Sequence, residues 1–426
     1  MRKFLAVSAR HRQAARSAKF SCLRGIALFI PALFLPLLAF SGGVPAFAAR
    51  GGPQAQQSEK LPKPQELDKD VYWKRDPATG ELNVTFAPPS RQSDSRAVPK
   101  SPRGRIIQTT ELVRIPCSVF ASDGTPLRDL TAKNFRVFDD GAERPIEIFN
   151  VGANVPARVA LVIDASPSVL PEAEDMKQAA MALVDGLAPT DEVAVVDFSA
   201  HTYVQTKFTG VRELLRRAVD RVDVRQLLGD TGGSNIYEAV YLAAHELFRG
   251  VQGRKAIVLL TDGQDSGLGL TLDPASIGPR GPQDNRLTFE DVARELEAEG
   301  IQVFVVSTET RPRIMTREWF AAHRDATFLT RDARKAGIPA YTLFLAEIVR
   351  RSAGELYFLH EADTLAATFS QIAQRVGSEY TLGVAPAWEG NAPRPGWHKL
   401  RVETVGLGNA IVIHRMSYYV SPKHSF

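Results

Sequence analysis

The sequence predicts an α/β fold. Its core is a doubly wound, mostly parallel six-stranded sheet, flanked by β-strands that form a small β-sandwich. Three observations carry this. From residue 158 onward, apolar strands alternate with amphipathic helical stretches. Strands such as AIVLL (256–260) and VFVV (303–306) are continuous apolar runs, as in a parallel sheet covered on both faces. Short alternating strands with Asp-Gly turns lie before that region, and strands return after it. A chain of 426 residues is also too long for one ordinary core and fits two or three domains.

Taken in order, residues 1–48 read as an export signal. They hold seven Lys/Arg and no Asp or Glu, then the 15-residue apolar run Ile26–Phe40 and an Ala46-Phe47-Ala48 cleavage pattern. That run is short for a membrane span, so membrane attachment is expected only if the leader stays uncleaved. The net charge of +4 arises there, and the rest of the chain sums to −3. A nucleic-acid partner, which needs a basic face on the folded domain, is therefore not expected. The expected location is secreted or within the cell envelope or periplasm. Cleavage would leave Cys117 alone, so the exported body would hold no intramolecular disulfide. Cys117 alternates with Val113, Ile115 and Val119 and reads as a small buried residue of a strand.

Residues 49–105 contain eight of the 27 prolines and read as a linker without a packed core. Only Val71–Trp73 and Leu82–Phe86 are expected to dock locally. Residues 106–152 give three short strands, too few to bury two faces, and are expected to be the N-terminal half of a β domain. Residues 155–378 form the α/β domain. Its six strands are predicted at 158–164, 192–199, 202–208, 254–262, 301–307 and 355–359. Helices are predicted at 172–187, 211–222, 235–248, 289–299, 343–352 and 364–375. Residues 379–426 return to strands and would complete the β domain. Long loops at 264–286 and 308–341 follow the fourth and fifth strands, at the edge where doubly wound sheets bind ligands.

That edge gathers oxygen donors. The first strand ends in Asp164-Ala165-Ser166-Pro167-Ser168, the fourth in Asp262, and Ser234 opens the third helix. First and fourth strands can be neighbours in such a sheet, so two carboxylates and three hydroxyls can converge. Hard cations such as Mg2+ take sets of oxygen ligands and keep some waters. Asp164 and Asp262 could instead cap turns at the strand ends.

The strand-borne DxSxS, the GGS-N-I loop before a helix and the TDG after a strand together resemble a von Willebrand factor type A domain, over about 155–378. The flanking stretches DLTAKNFRVFDDG and HRMSYYV are similar to those of secreted bacterial proteins with related domains. The resemblance implies a metal-ion-dependent adhesion site binding Mg2+ (or Mn2+ or Ca2+). Ser166 and Ser168 would ligate directly, and Asp164 and Asp262 directly or through water. Ser234 stands at the usual Thr position, and Pro167 stands where Gly is common. The implied partner is a protein offering an acidic side chain.

Three functions follow. The first is an exported metal-dependent protein-binding or adhesion module, not an enzyme. The second is a structural envelope protein with a non-functional metal site. The third is a metal-dependent phosphohydrolase, whose DxD pair is broken here by Ser166 and which lacks a nearby Lys. Gly267-Leu268-Gly269 has no dinucleotide-binding context, and no P-loop or GxSxG motif occurs.

Overall fold

The computed structural model describes residues 60–78, 80–86, 112–122, 125–151, 155–222, 233–273, 277–278, 281, 283–316, 319–320, 323, 327–359, 365–377, 380–389 and 392–420. The chain divides into two units, Met1–Gln57 and Ser58–Phe426, and all described residues belong to the second. The export-signal reading of 1–48 lies outside the described residues. Among those described, no helix is long and apolar enough to cross a membrane.

In chain order the strands are β1 (Gln65–Glu66), β2 (Tyr72–Arg75), β3 (Leu82–Thr85), β4 (Val113–Phe120), β5 (Phe135–Asp139), β6 (Ala142–Arg144), β7 (Ile146–Val151), β8 (Ala157–Asp164), β9 (Glu192–Phe198) and β10 (Thr202–Thr209). They continue with β11 (Arg254–Thr261), β12 (Gln302–Ser307), β13 (Glu355–Phe358), β14 (Tyr380–Val384), β15 (Trp388–Glu389), β16 (Ala392–Pro393), β17 (Gly396–Thr404), β18 (Ile411–His414) and β19 (Ser417–Val420).

The central sheet has the order β1-β10-β9-β8-β11-β12-β13. Strands β9, β8, β11, β12 and β13 run parallel, while β10 is antiparallel to β9 and β1 to β10. The six predicted strands are all present, with one more at the edge. The two-residue β1, set among prolines, shows no periodicity to read.

Both faces of the sheet are covered, which is why its strands read as unbroken apolar runs. In β8, Ala160 and Val162 face one core with the helices Ile236–Leu247, Phe289–Glu299 and Ala340–Ser352. Val159, Leu161 and Ile163 face the other, with Ala173–Gly186, Arg212–Arg221 and Leu365–Gly377. Three helices per face cover the middle of the sheet, and Val159, Ala160, Leu161 and Val162 have no exposed surface.

Strands from the two sides of this domain pair with one another. β14 inserts between β4 and β7, with Tyr380 opposite both Cys117 and Val151. β17 pairs with β5 along Leu400–Thr404 and with β19 along Gly396–Lys399. The two four-stranded sheets enclose a third core that includes Ile115, Cys117, Val137, Leu382 and Leu400, all fully buried. Cys117 is thus a buried thiol on an inward strand face.

Part of the stretch read as a linker is built into the fold. β2 and β3 form a hairpin whose Val71, Trp73, Leu82 and Val84 pack on the first core. The device that holds it is Arg75, 2% exposed. Its guanidinium forms a bidentate pair with Asp291 (2.9 and 2.8 Å) and donates to the carbonyls of Gly80, Asp284 and Arg286. All five of its N–H donors are used. Asp291 in turn accepts from Thr288 N–H and hydroxyl at the start of helix Phe289–Glu299. A proline-rich composition does not reveal a buried arginine whose partner lies 216 residues away.

Candidate metal centre

The structure brings the five sequence-derived residues to one edge of the sheet. β8 and β11 are adjacent and parallel, so Asp164 and Asp262 leave the same end side by side. Ser234 arrives on the loop before helix Ile236–Leu247. Four of the five are nearly inaccessible: Asp164 2%, Ser166 2%, Ser234 4% and Asp262 4% exposed. Ser168 is exposed and marks the side open to solvent.

Asp164 is the hub. Its Oδ1 accepts the Ser166 N–H at 2.9 Å, and its Oδ2 accepts hydroxyls from Thr261 at 2.6 Å and Ser234 at 3.3 Å. The Ser166 and Ser168 hydroxyls lie 3.0 Å apart. Pro167 fits this turn. It occupies the first position of the 3-10 helix Pro167–Glu172, where its missing N–H costs nothing, and Ser166 before it is extended (φ −70°, ψ 157°). The residue that departs from the family pattern thus sits in a conformation it favours.

Asp262 uses one oxygen locally: Oδ1 accepts the Gln264 N–H at 2.8 Å. Its Oδ2 is buried with no hydrogen-bond partner. Gly263, at φ +87°, makes the turn possible, since a Cβ there would sit 2.8 Å from Leu345 Cδ1 and strain the left-handed backbone as well.

The electrostatics are unbalanced. The Asp164 carboxyl is raised to about 6, first by burial and also by the charge of Asp262, against the lowering effect of hydrogen bonds from Ser166 and Thr261. Among the described residues neither aspartate forms an ion pair. Two buried carboxylates without a cation are costly unless something else supplies the charge. An orphaned carboxylate oxygen, a second buried carboxylate and three nearby hydroxyls are all hard oxygen donors, so the residues present fit a divalent cation. The bare requirement for capping turns explains the backbone contacts of both aspartates, but not Asp262 Oδ2.

Sequence reasoning passed over the supports of this centre. Thr261 holds Asp164 Oδ2 and accepts the Gly263 N–H at 3.0 Å, and it was legible as the threonine before the strand-ending aspartate. Ser266 fixes the Ser234 loop: its hydroxyl accepts the Ser234 N–H at 2.7 Å, and its N–H donates to the Ser234 carbonyl at 2.7 Å. Asp265 accepts the N–H groups of Tyr237 and Leu268, and burial raises its carboxyl. Both lie at the start of the long loop at 264–286, so this part of the loop builds the site.

Fold and site together define an α/β domain with oxygen donors gathered at the ends of its strands. Residues 159–314 match the sequence model of the von Willebrand factor type A domain, and the chain carries such a domain. Solved structures similar to the chain include an aerotolerance-related membrane protein from Bacteroides fragilis, 20% identical over 52% of this chain and 98% of that one, with a TM-score of 0.35. A von Willebrand factor type A protein from Catenulispora acidiphila is 15% identical over 68% of this chain and 76% of that one, at 0.33. Proximal thread matrix protein 1 of the mussel byssus, in a form with a zinc-occupied metal-ion-dependent adhesion site, is 17% identical over 56% of this chain and 49% of that one, at 0.35. No curated protein matches the chain.

Proposed function

We propose that the protein is an exported, metal-dependent protein-binding module whose metal centre is formed by Asp164, Ser166, Ser168, Ser234 and Asp262. The observation that carries this reading is the buried Oδ2 of Asp262, which has no hydrogen-bond partner among the described residues, beside a second buried carboxylate. Asp164 and Asp262 supply negative charge, and the three serine hydroxyls supply neutral oxygens. A divalent cation held there, Mg2+ or alternatively Mn2+ or Ca2+, offers an electrophilic position to a carboxylate of a protein partner.

The chain's own residues do the positioning. Thr261 holds the Asp164 carboxylate in one orientation, and Ser266 pins the backbone that carries Ser234. Having few charged ligands keeps a bound cation electrophilic, which favours an acidic partner over a basic one. Ser168 opens the site to solvent, and the half-exposed Leu170 beside it offers the partner an apolar contact. The basic leader, if cleaved as its sequence suggests, would place the module in the envelope or outside the cell.

Titration calorimetry with Mg2+, Mn2+ and Ca2+ tests the centre, and retention of acidic peptides in Mg2+ against EDTA tests its use. The reading expects metal binding by the wild-type chain, none by Asp164→Ala, and peptide retention only where metal binds. Metal binding without any metal-dependent retention would leave a structural role instead. Absence of metal binding would remove the centre itself.

A further inference from the structure

A second group of metal-ligand atoms lies outside the cleft. Glu66 and Asp68 flank the buried Leu67 on the N-terminal segment, and His201 sits on the turn between β9 and β10. Their ligand atoms all lie within 4.8 Å of one another. His201 Nδ1 is 2.8 Å from Asp68 Oδ2 and 3.9 Å from Glu66 Oε1.

The backbone fixes all three. β1 pairs with β10, placing Glu66 opposite Tyr203. Leu67 N–H donates to the Thr202 carbonyl at 2.7 Å, and Asp68 Oδ1 accepts the Thr202 N–H at 3.0 Å. A ligand binding here would therefore meet groups already in place, which lowers its ordering cost.

A His–Asp ion pair alone accounts for two of the three residues. It leaves Glu66, which makes no other ion pair or side-chain hydrogen bond among the described residues. Nearby Glu238 adds a fourth titratable group. Its carboxyl is raised to about 6, first by burial, then by the charges of Asp68 and Asp265. One imidazole thus faces an excess of carboxylates. His201 is half exposed, so an ion has a way in.

The contrast is with Asp139, Asp140 and His398, the other such group among the described residues. There Asp139 Oδ2 accepts from the Tyr418 hydroxyl and the Ala387 N–H, both at 2.9 Å, Asp140 pairs with Arg394, and His398 Nε2 faces the Arg394 carbonyl at 2.7 Å. Those groups are fully engaged in holding the β-sandwich.

We propose that Glu66, Asp68 and His201 form a second divalent-cation site that clamps the N-terminal segment onto the sheet edge. Its donor set of one imidazole nitrogen and carboxylate oxygens suits zinc-class ions, unlike the all-oxygen cleft. The clamp adjoins that cleft. Ser199 N–H donates to the His201 carbonyl, Asn235 N–H donates to the Ser199 carbonyl, and Asn235 follows Ser234. An ion in the clamp would thus steady the turn against which the Ser234 loop rests.

The test uses the full chain with Asp164→Asn, which removes the cleft as a competing site. Co2+ is the probe, because its visible absorption strengthens when the ion leaves the octahedral aqua shell for a lower-coordinate protein site, and Zn2+ displaces it. The clamp expects a Co2+ band in the Asp164→Asn protein that Zn2+ quenches. Adding His201→Ala should abolish the band, and adding Glu66→Gln should weaken Zn2+ at least about tenfold. Zn2+ should also slow trypsin cleavage after the exposed Lys69 in Asp164→Asn, but not once His201 is removed. Circular dichroism checks that each variant folds, and Glu66→Gln carries the test if His201→Ala does not. A Co2+ band and a Zn2+ affinity unchanged by both variants would overturn the proposal, as would no binding in the Asp164→Asn protein.

Discussion

Two buried carboxylate sites in this molecule are solved in opposite ways. Asp291 meets a guanidinium whose five donors are all used, and it caps a helix at the same time. Asp164 and Asp262 are as deeply buried, yet among the described residues neither forms an ion pair and one oxygen, Asp262 Oδ2, has no hydrogen-bond partner. Asp291 is a closed arrangement whose charge is neutralised within the chain. The aspartate pair is an open one, and the cation proposed above is what would balance it. The difference separates a carboxylate that is satisfied within the chain from a pair that is not.

The comparison is broken most strongly by removing the cation that the chain does supply. Arg75→Ala leaves Asp291 buried without its partner and frees the β2–β3 hairpin from the domain. The expected loss is about 3–5 kcal/mol of unfolding free energy, the usual result of breaking a buried pair from one side. Denaturant unfolding measures it. A loss below about 1 kcal/mol would show that the pair is solvated and that the hairpin is held by its apolar contacts alone.

At the open site the corresponding change should have the opposite sign. Asp164→Asn removes a charge that burial opposes. With a folded value of about 6 against an ordinary 3.8, ionised Asp164 costs the metal-free protein on the order of 3 kcal/mol at pH 7, so the variant should gain up to about that much. The sign follows from proton binding. Between these two values the folded state holds the proton more tightly, so wild-type stability is fully present below about 4 and falls as pH rises through 6. The variant should lack that slope, and Mg2+ should stabilise the wild type but not the variant. Thermal or denaturant unfolding at pH 4 and pH 7, with and without Mg2+, reads all three. A variant less stable than the metal-free wild type at pH 7 would mean that Asp164 is a structural cap.

A smaller effect tests the support of that carboxylate. Thr261→Val keeps the shape but removes a hydroxyl that donates to Asp164 and accepts from Gly263. The expected cost is about 1–2 kcal/mol, with weaker metal binding by calorimetry because Asp164 is no longer held. Unchanged metal affinity would show that Ser234 and the Ser166 N–H orient the carboxylate without it.

These sites also show what a sequence displays and what it hides. The central strands were legible because helices on both faces force unbroken apolar runs, as in 256–260. Asp164, Ser166 and Ser168 were legible because one strand exit carries them all, and Ser234 and Asp262 because their motifs follow in order. Local docking of 71–73 and 82–86 was legible from their apolar residues, and Val71, Trp73, Leu82 and Val84 do pack on the first core, but the anchor of this N-terminal hairpin was hidden. Its strands are four residues long, its surroundings are rich in proline, and Arg75 finds Asp291 only in three dimensions. Asp68 and His201 lie 133 residues apart for the same reason. Periodicity reports an element's own faces, while a long-range polar pair leaves no period.

Pro167 gives the finest test of the open site. In the family pattern it is an oddity, yet here it begins a 3-10 turn and keeps Ser166 extended. If it merely pre-sets that turn, its effect lies in the unfolded chain. Pro167→Ala should then cost about 0.4–1 kcal/mol while leaving metal affinity unchanged, because the hydroxyls of Ser166 and Ser168 stay in place. Pro167→Gly should cost more, since it loosens the unfolded chain further. Paired denaturation and calorimetry on both variants separate the two quantities. A fall in metal affinity larger than the stability loss would show that the ring itself holds the serine hydroxyls 3.0 Å apart, making Pro167 part of the proposed centre rather than of the turn alone.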